Sequence, residues 1–140
     1  MTPLERITER VTRNGDLDAD GTPVPLLRLP EFFDGNDVDG SIGCNLDPMP
    51  SPAEMRAVLE AILERPEVAE VLVQVSMFDD PDWPFSDTVW VMTAAPTADV
   101  EDWFPEQFRP DEVWEGWQDG VTYDAYDVPE GTRPVGVFFD

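Results

Sequence analysis

Hydrophobic positions along this chain alternate between two periods, and the changes of period mark out the elements. Leu4, Ile7 and Val11 fall on one helical face after Thr2-Pro3-Leu4-Glu5. That opening has the form of a capping box with proline in the first turn, and Asn14-Gly15 stops the helix. The apolar run over 26–33 reads as a strand, bracketed by Pro25 and Pro30 and therefore placed at a sheet edge. A loop over 34–40 leads to a second short strand over 41–46.

The clearest helix starts at Ser51-Pro52-Ala53-Glu54, a second capping box. Met55, Val58, Leu59 and Ile62 recur at i, i+3, i+4 and i+7, Leu63 widens the stripe, and Pro66 ends it. Residues 68–78 then switch to period two. Val71, Val73, Val75 and Met77 fall on one side, and Leu72, Gln74, Ser76 and Phe78 on the other. A loop over 79–85 separates this strand from another over 87–94. A helix from Thr97 through Val100, Trp103 and Phe104 breaks at Pro105. The turn Pro110-Asp111-Glu112 predicts a short helical stretch carrying Val113, Trp114 and Trp117. Residues 121–128 and 134–139 read as closing strands.

The predicted order is a helix, strand-strand-helix twice, then C-terminal strands. Hairpins followed by helices point to an α+β fold. We expect an antiparallel sheet of about five to six strands with helices packed on one face, formed as a single unit over residues 1–140. The two central units share an order without sharing residues.

Charge changes the picture most. Eight arginines face 31 Asp plus Glu, lysine and histidine are absent, and the formal net charge is −23. Without imidazole or amine there is no histidine base, no histidine zinc ligand and no Schiff-base lysine. Such a surface repels nucleic acid and anionic membranes and attracts basic proteins or cations. A GC-rich genome or a salt-adapted proteome would also raise this charge without any partner. Five Trp, two Tyr and eight Phe, with 41% apolar residues, provide a real core, which an acidic disordered tail lacks. One cysteine permits no intrachain disulfide, no apolar stretch reaches membrane-span length, and the N-terminus reads as that of a mature cytosolic chain; a cytoplasmic setting is expected.

Several motifs carry candidate chemistry. Asp16, Asp18 and Asp20 before Gly21 match the first half of a calcium loop. The twelfth position is Leu27, where a bidentate glutamate is needed, so no calcium site is expected. Asp34, Asp37 and Asp39 form an acidic hairpin loop that reads either as a solvated turn or as a dock for basic side chains. The loop over 79–85 is the most unusual segment: Asp79, Asp80 and Asp82 stand with Trp83, Phe85 and two prolines. Prolines lower the ordering cost of binding, and a Trp beside carboxylates can hold a cation. The competing reading folds Trp83 and Phe85 back as a lid on the core. Trp103, Trp114 and Trp117 read as core residues. Cys44 has no activating base and reads as an inert thiol.

No catalytic residue and no cofactor is expected. The leading expectation is a small acidic cytosolic binding protein that engages a basic protein partner, for example as an inhibitor or immunity-type protein. The alternatives are a carboxylate-based hydrolase, a calcium-dependent module, or a homo-oligomeric structural or regulatory protein.

Overall fold

A computed structural model describes residues 1–139. Helix α1 spans Pro3–Thr12 and has the capping box the sequence announces. The Thr2 hydroxyl accepts from the Glu5 amide, and the Glu5 carboxylate accepts from the Thr2 amide. Helix α3, Pro52–Leu63, is capped in the same way by Ser51 and Glu54. Between them lie strand β1, Leu26–Arg28, and helix α2, Leu29–Phe33. After α3 come β2, Val68–Gln74, β3, Thr88–Thr93, and helix α4, Thr97–Asp102. A 3-10 turn over Glu106–Phe108, β4, Glu112–Glu115, and β5, Arg133–Phe138, complete the order.

The five strands form one antiparallel sheet in the order β1-β2-β3-β5-β4. The expected α+β architecture is present, with β1 at an edge. All four helices bury side chains in the cluster on one face: Ile7 and Val11, then Leu29, Phe32 and Phe33, then Met55, Leu59 and Ile62, then Val100. These meet Leu27, Val71, Val73, Val89, Val91, Val135 and Val137 from the sheet.

The opposite face carries a second cluster of Leu26, Leu72, Trp90 and Met92. Trp114, Trp117, Tyr123, Tyr126 and Val128 pack against it. Its centre is Trp90, fully buried, with ring centroids 4.7 Å from Trp117, 5.5 Å from Trp114 and 5.6 Å from Tyr123. Gly136 stands opposite both Trp90 and Trp114. A Cβ there would collide with the Trp114 ring, so glycine lets the indole lie flat against β5.

Five predicted elements differ from the structure. The strand over 68–78 ends at Gln74, Met77 lies exposed, and Phe78 packs against the helix-side cluster with Val71 and Val73 instead of on the side of Leu72. The strand over 26–33 ends at Arg28. Pro30 sits in the first turn of α2, where no amide donor is needed, and the Glu31 carboxylate accepts from the Arg28 amide at 2.9 Å. Residues 41–46 form no strand. A single parallel bridge joins Ile42 to Ser86, and Gly43, with φ +71°, turns the chain. The stretch at 110–117 is β4, not a helix: Val113 packs toward the helices and Trp114 toward the second face, which is period two. Residues 121–128 cross the second face without a ladder. Their backbone meets the body through the Val24–Tyr123 bridge, flanked by Val24 donating to the Thr122 carbonyl and Asp124 to the Val24 carbonyl.

That crossing is clasped by Asp124. Its carboxylate accepts from the Leu26 amide at 2.9 Å, from the Arg10 guanidinium at 2.7 Å and from the Asn14 side chain. Burial pushes the pKa up, but these three donors and the Arg10 charge outweigh it and hold the carboxyl below its ordinary value of 3.8. A depressed folded-state pKa adds stability that is present above the unfolded value and lost as pH falls through the folded one. Relief of the general negative charge works in the opposite direction over the same range. The expected result is therefore a difference: between pH 5 and pH 3, wild type loses more stability than Asp124→Asn, measured by urea melts. Equal pH slopes in the two proteins would remove Asp124 as the acid-sensitive clasp.

Candidate functional site

The acidic loops predicted as docking elements are neighbours in space. The Trp83 indole N–H donates to the Phe32 carbonyl at 3.1 Å, which pins the second loop beside the start of the first. The Ser86 amide donates to the Ser41 carbonyl at 2.8 Å, which joins the loops again at their far ends. Each loop is also braced internally. The Asp80 carboxylate accepts from the Asp82 amide, and the Asn36 side chain accepts from the Val38 amide while donating to the Ser41 hydroxyl. These side-chain turns hold backbone that forms no ladder.

Asp34, Asp37, Asp39, Asp79, Asp80 and Asp82 are all exposed on this rim. Asp34 is tied to Arg56 of α3 at 2.9 Å, and the other five have no arginine partner. Six of the eight arginines sit in carboxylate pairs elsewhere or at Asp34, and the remaining two, Arg6 and Arg13, lie at α1. The rim charge is thus left almost uncompensated.

The aromatic members of the second loop do not belong to this surface. Trp83 is 3% exposed and packs in the helix-side core, the lid arrangement, and Phe85 is half-buried beside Met77. Pro84 is buried with them. Trp83 therefore braces the loop from inside, and carboxylates form the outer surface. Asp16, Asp18 and Asp20 lie apart, beyond the C-terminus of α1. The Asp16 carboxylate accepts from the Asp18 amide at 2.9 Å, a turn-forming bond. No group of three or more Cys, Asp or Glu placed to hold a metal ion occurs among the described residues. Cys44 is half-buried in the turn after Ile42.

Sequence reasoning did not identify the second-face features. Gln74, Thr88 and Glu112 fall in one transverse row of the sheet, next to a row of Leu72, Trp90 and Trp114. The signal available in the sequence was a polar residue at one end of three strands, Gln74, Thr88 and Glu112.

These observations define an acidic α+β protein built on one five-stranded antiparallel sheet, with an exposed carboxylate rim and no helix long and apolar enough to cross a membrane among its described residues. The chain belongs to the Uncharacterized protein YfbO family, whose model matches residues 2–137. It is 47% identical over 140 residues to "Uncharacterized protein YfbO" of Escherichia coli (strain K12), and the match covers 100% of both chains. No solved structure matches it.

Proposed function

We propose that this is a cytoplasmic binding protein that docks a basic protein partner on the rim formed by the 34–40 and 79–85 loops. One observation carries the reading. The Trp83–Phe32 bond and the Ser41–Ser86 bond brace two acidic loops against each other, while their carboxylates stay exposed and, apart from Asp34, unpaired by arginine. Preformed loops lose little freedom on binding, and a one-sign surface steers the encounter. An inhibitor- or immunity-type role fits such a surface, because a basic enzyme's cationic cleft is its natural complement.

The test compares capture of partners by wild type, by Asp79→Asn/Asp80→Asn/Asp82→Asn, and by a control that neutralises three exposed acids elsewhere, Glu64, Asp119 and Glu130. The expected result is a basic protein retained by wild type and by the control but lost by the rim variant. With that partner purified, the rim variant should associate about tenfold more slowly at low ionic strength. The difference should fade in high salt. Equal loss in the control and the rim variant would show bulk charge acting without a site and would overturn the proposal.

A further inference from the structure

A cleft of 440 Å³ lies where the end of α1, strand β1 and the crossing segment meet, a size within the range of small-molecule sites. Arg10 and Arg13 line it from α1, Arg28 from β1, and Asp124, Ala125 and Tyr126 from the crossing segment. Leu26 and Leu72 form its floor. Its charged groups are three arginines and two carboxylates, Glu31 and Asp124, which leaves the walls at +1 on a chain of −23.

The carboxylates of the cleft are fully used. One Glu31 oxygen accepts from the Arg28 amide at 2.9 Å and the other from Arg10 Nε at 3.2 Å. One Asp124 oxygen accepts from Asn14, and the other from the Leu26 amide and Arg10. Arg10 is neutralised by the same bonds. The other two cations are left over. Arg13 has no carboxylate partner among the described residues, and Arg28 has one loose pair, Nε to Glu70 at 3.8 Å. Burial and then the Glu70 charge push the Tyr126 pKa up, and the Arg28 charge opposes them, so the hydroxyl stays protonated and Arg28 acts on the ring it shares the cleft with.

Unpaired arginine is unexpected where 31 carboxylates face eight guanidinium groups. A cation at the end of α1 suits the helix dipole, which accounts for Arg10 and Arg13 as residue types. It does not account for Arg28, which reaches the same cleft from the sheet. Arg6, the other arginine with no carboxylate partner among the described residues, lines an adjoining cleft. There Glu9, Glu31 and Asp34 balance the arginines, so the positive excess belongs to the larger cleft.

We propose that the larger cleft binds a small organic monoanion, a carboxylate on an apolar body. Arg13 meets the carboxylate with paired N–H donors, Arg28 adds a second charge, and Leu26, Leu72 and the Tyr126 ring receive the apolar body. The wall charge of +1 selects one negative charge, since a dianion would leave the site negative inside a negative field. The bulk charge works against every anion, so saturable binding of one requires a local site. None of the rim carboxylates lines this cleft, and the site stands or falls separately from the proposed docking surface.

The test follows the backbone amides of Ala125 and Tyr126 by NMR during titration with phenylacetate. Saturable shifts are expected, with Kd of about 1 mM for so small a probe, and none from phenylacetamide, its neutral analogue. Phenyl phosphate, a dianion, should bind more weakly. Arg13→Gln and Arg28→Gln, both at exposed positions, should each raise Kd about tenfold, as expected for loss of a charge-assisted contact. Arg13→Lys should fall between, because it keeps the charge and loses the paired donors. Arg109→Gln makes the same change in net charge outside the cleft and should leave Kd within about twofold. The rim variant should keep its affinity for phenylacetate whether or not it retains a basic partner. No saturable shift, equal binding of phenylacetamide, tighter binding of phenyl phosphate, or equal effects of Arg13→Gln and Arg109→Gln would each overturn the proposal.

Discussion

Trp83→Ala lowers the unfolding free energy by about 4 kcal/mol, within the range for emptying a buried Trp site. The side chain is 3% exposed within the helix-side core, so its removal leaves a cavity that the sheet and α2 cannot close. It also leaves the Phe32 carbonyl without its donor. Trp83→Phe is intermediate: it keeps a six-membered ring in the site but removes the N–H together with the remaining indole carbons, and should cost about 2–3 kcal/mol. Urea melts of the three proteins check this order. A loss below about 1 kcal/mol in Trp83→Ala would mean the indole is not the internal brace of the rim, since a buried Trp removed at so little cost lacks the packing assigned to it. Neutralising Asp79, Asp80 and Asp82 should leave stability within about 0.5 kcal/mol or raise it, because these groups contribute repulsion and no packing.

The same residue shows where the sequence is sufficient and where it is not. Prolines and acids around Trp83 announce a loop, and its size admits both a contact and a lid. The choice depends on Phe32, 51 positions away in the chain, and no local pattern carries that contact. Local chemistry was enough at α1 and α3, where Thr2-Pro3-Leu4-Glu5 and Ser51-Pro52-Ala53-Glu54 each satisfy the first-turn amides within four residues. It was enough at β2, where Val71 and Val73 point to one cluster and Leu72 to the other. It misled at Pro30, because proline marks a strand edge and a helix start equally well. Leu29, Phe32 and Phe33 already had helical spacing. It misled again at 112–115. Both faces of the sheet are covered, so Val113 and Trp114 are adjacent apolar residues pointing opposite ways, and the Trp114–Trp117 spacing imitates a helical turn. The chain turns there at Gly116, with φ +90°. The adjacency of the two acidic loops, like the polar row of the second face, exists only once strand register is known.

Trp90→Ala should be the most damaging substitution in the chain, at about 5 kcal/mol, the upper end for a fully buried aromatic. Trp90 is fully buried, and Trp114, Trp117 and Tyr123 all pack against its ring. Aromatic pairs add stabilisation beyond area alone. Its indole N–H also holds Gln74, which begins the polar chain toward Asp87. The residues over 116–131 have few backbone bonds to the body and depend on this ring and the Asp124 clasp. The expected sign is therefore local as well as global. Limited proteolysis of Trp90→Ala under native conditions should cut within 116–131 at a protease level that leaves wild type and Trp83→Ala intact there, because an opened segment is cleaved in proportion to its open population. Trp83 and Trp90 occupy separate clusters on opposite faces of the sheet, so their effects should add. A sum of about 9 kcal/mol is comparable to the whole stability of an ordinary domain, so additivity is read with the milder Trp83→Phe in the Trp90→Ala background. If the double variant lost markedly less than the two single losses together, the two clusters would be coupled through β2 and β3, and the sheet would not be separating them.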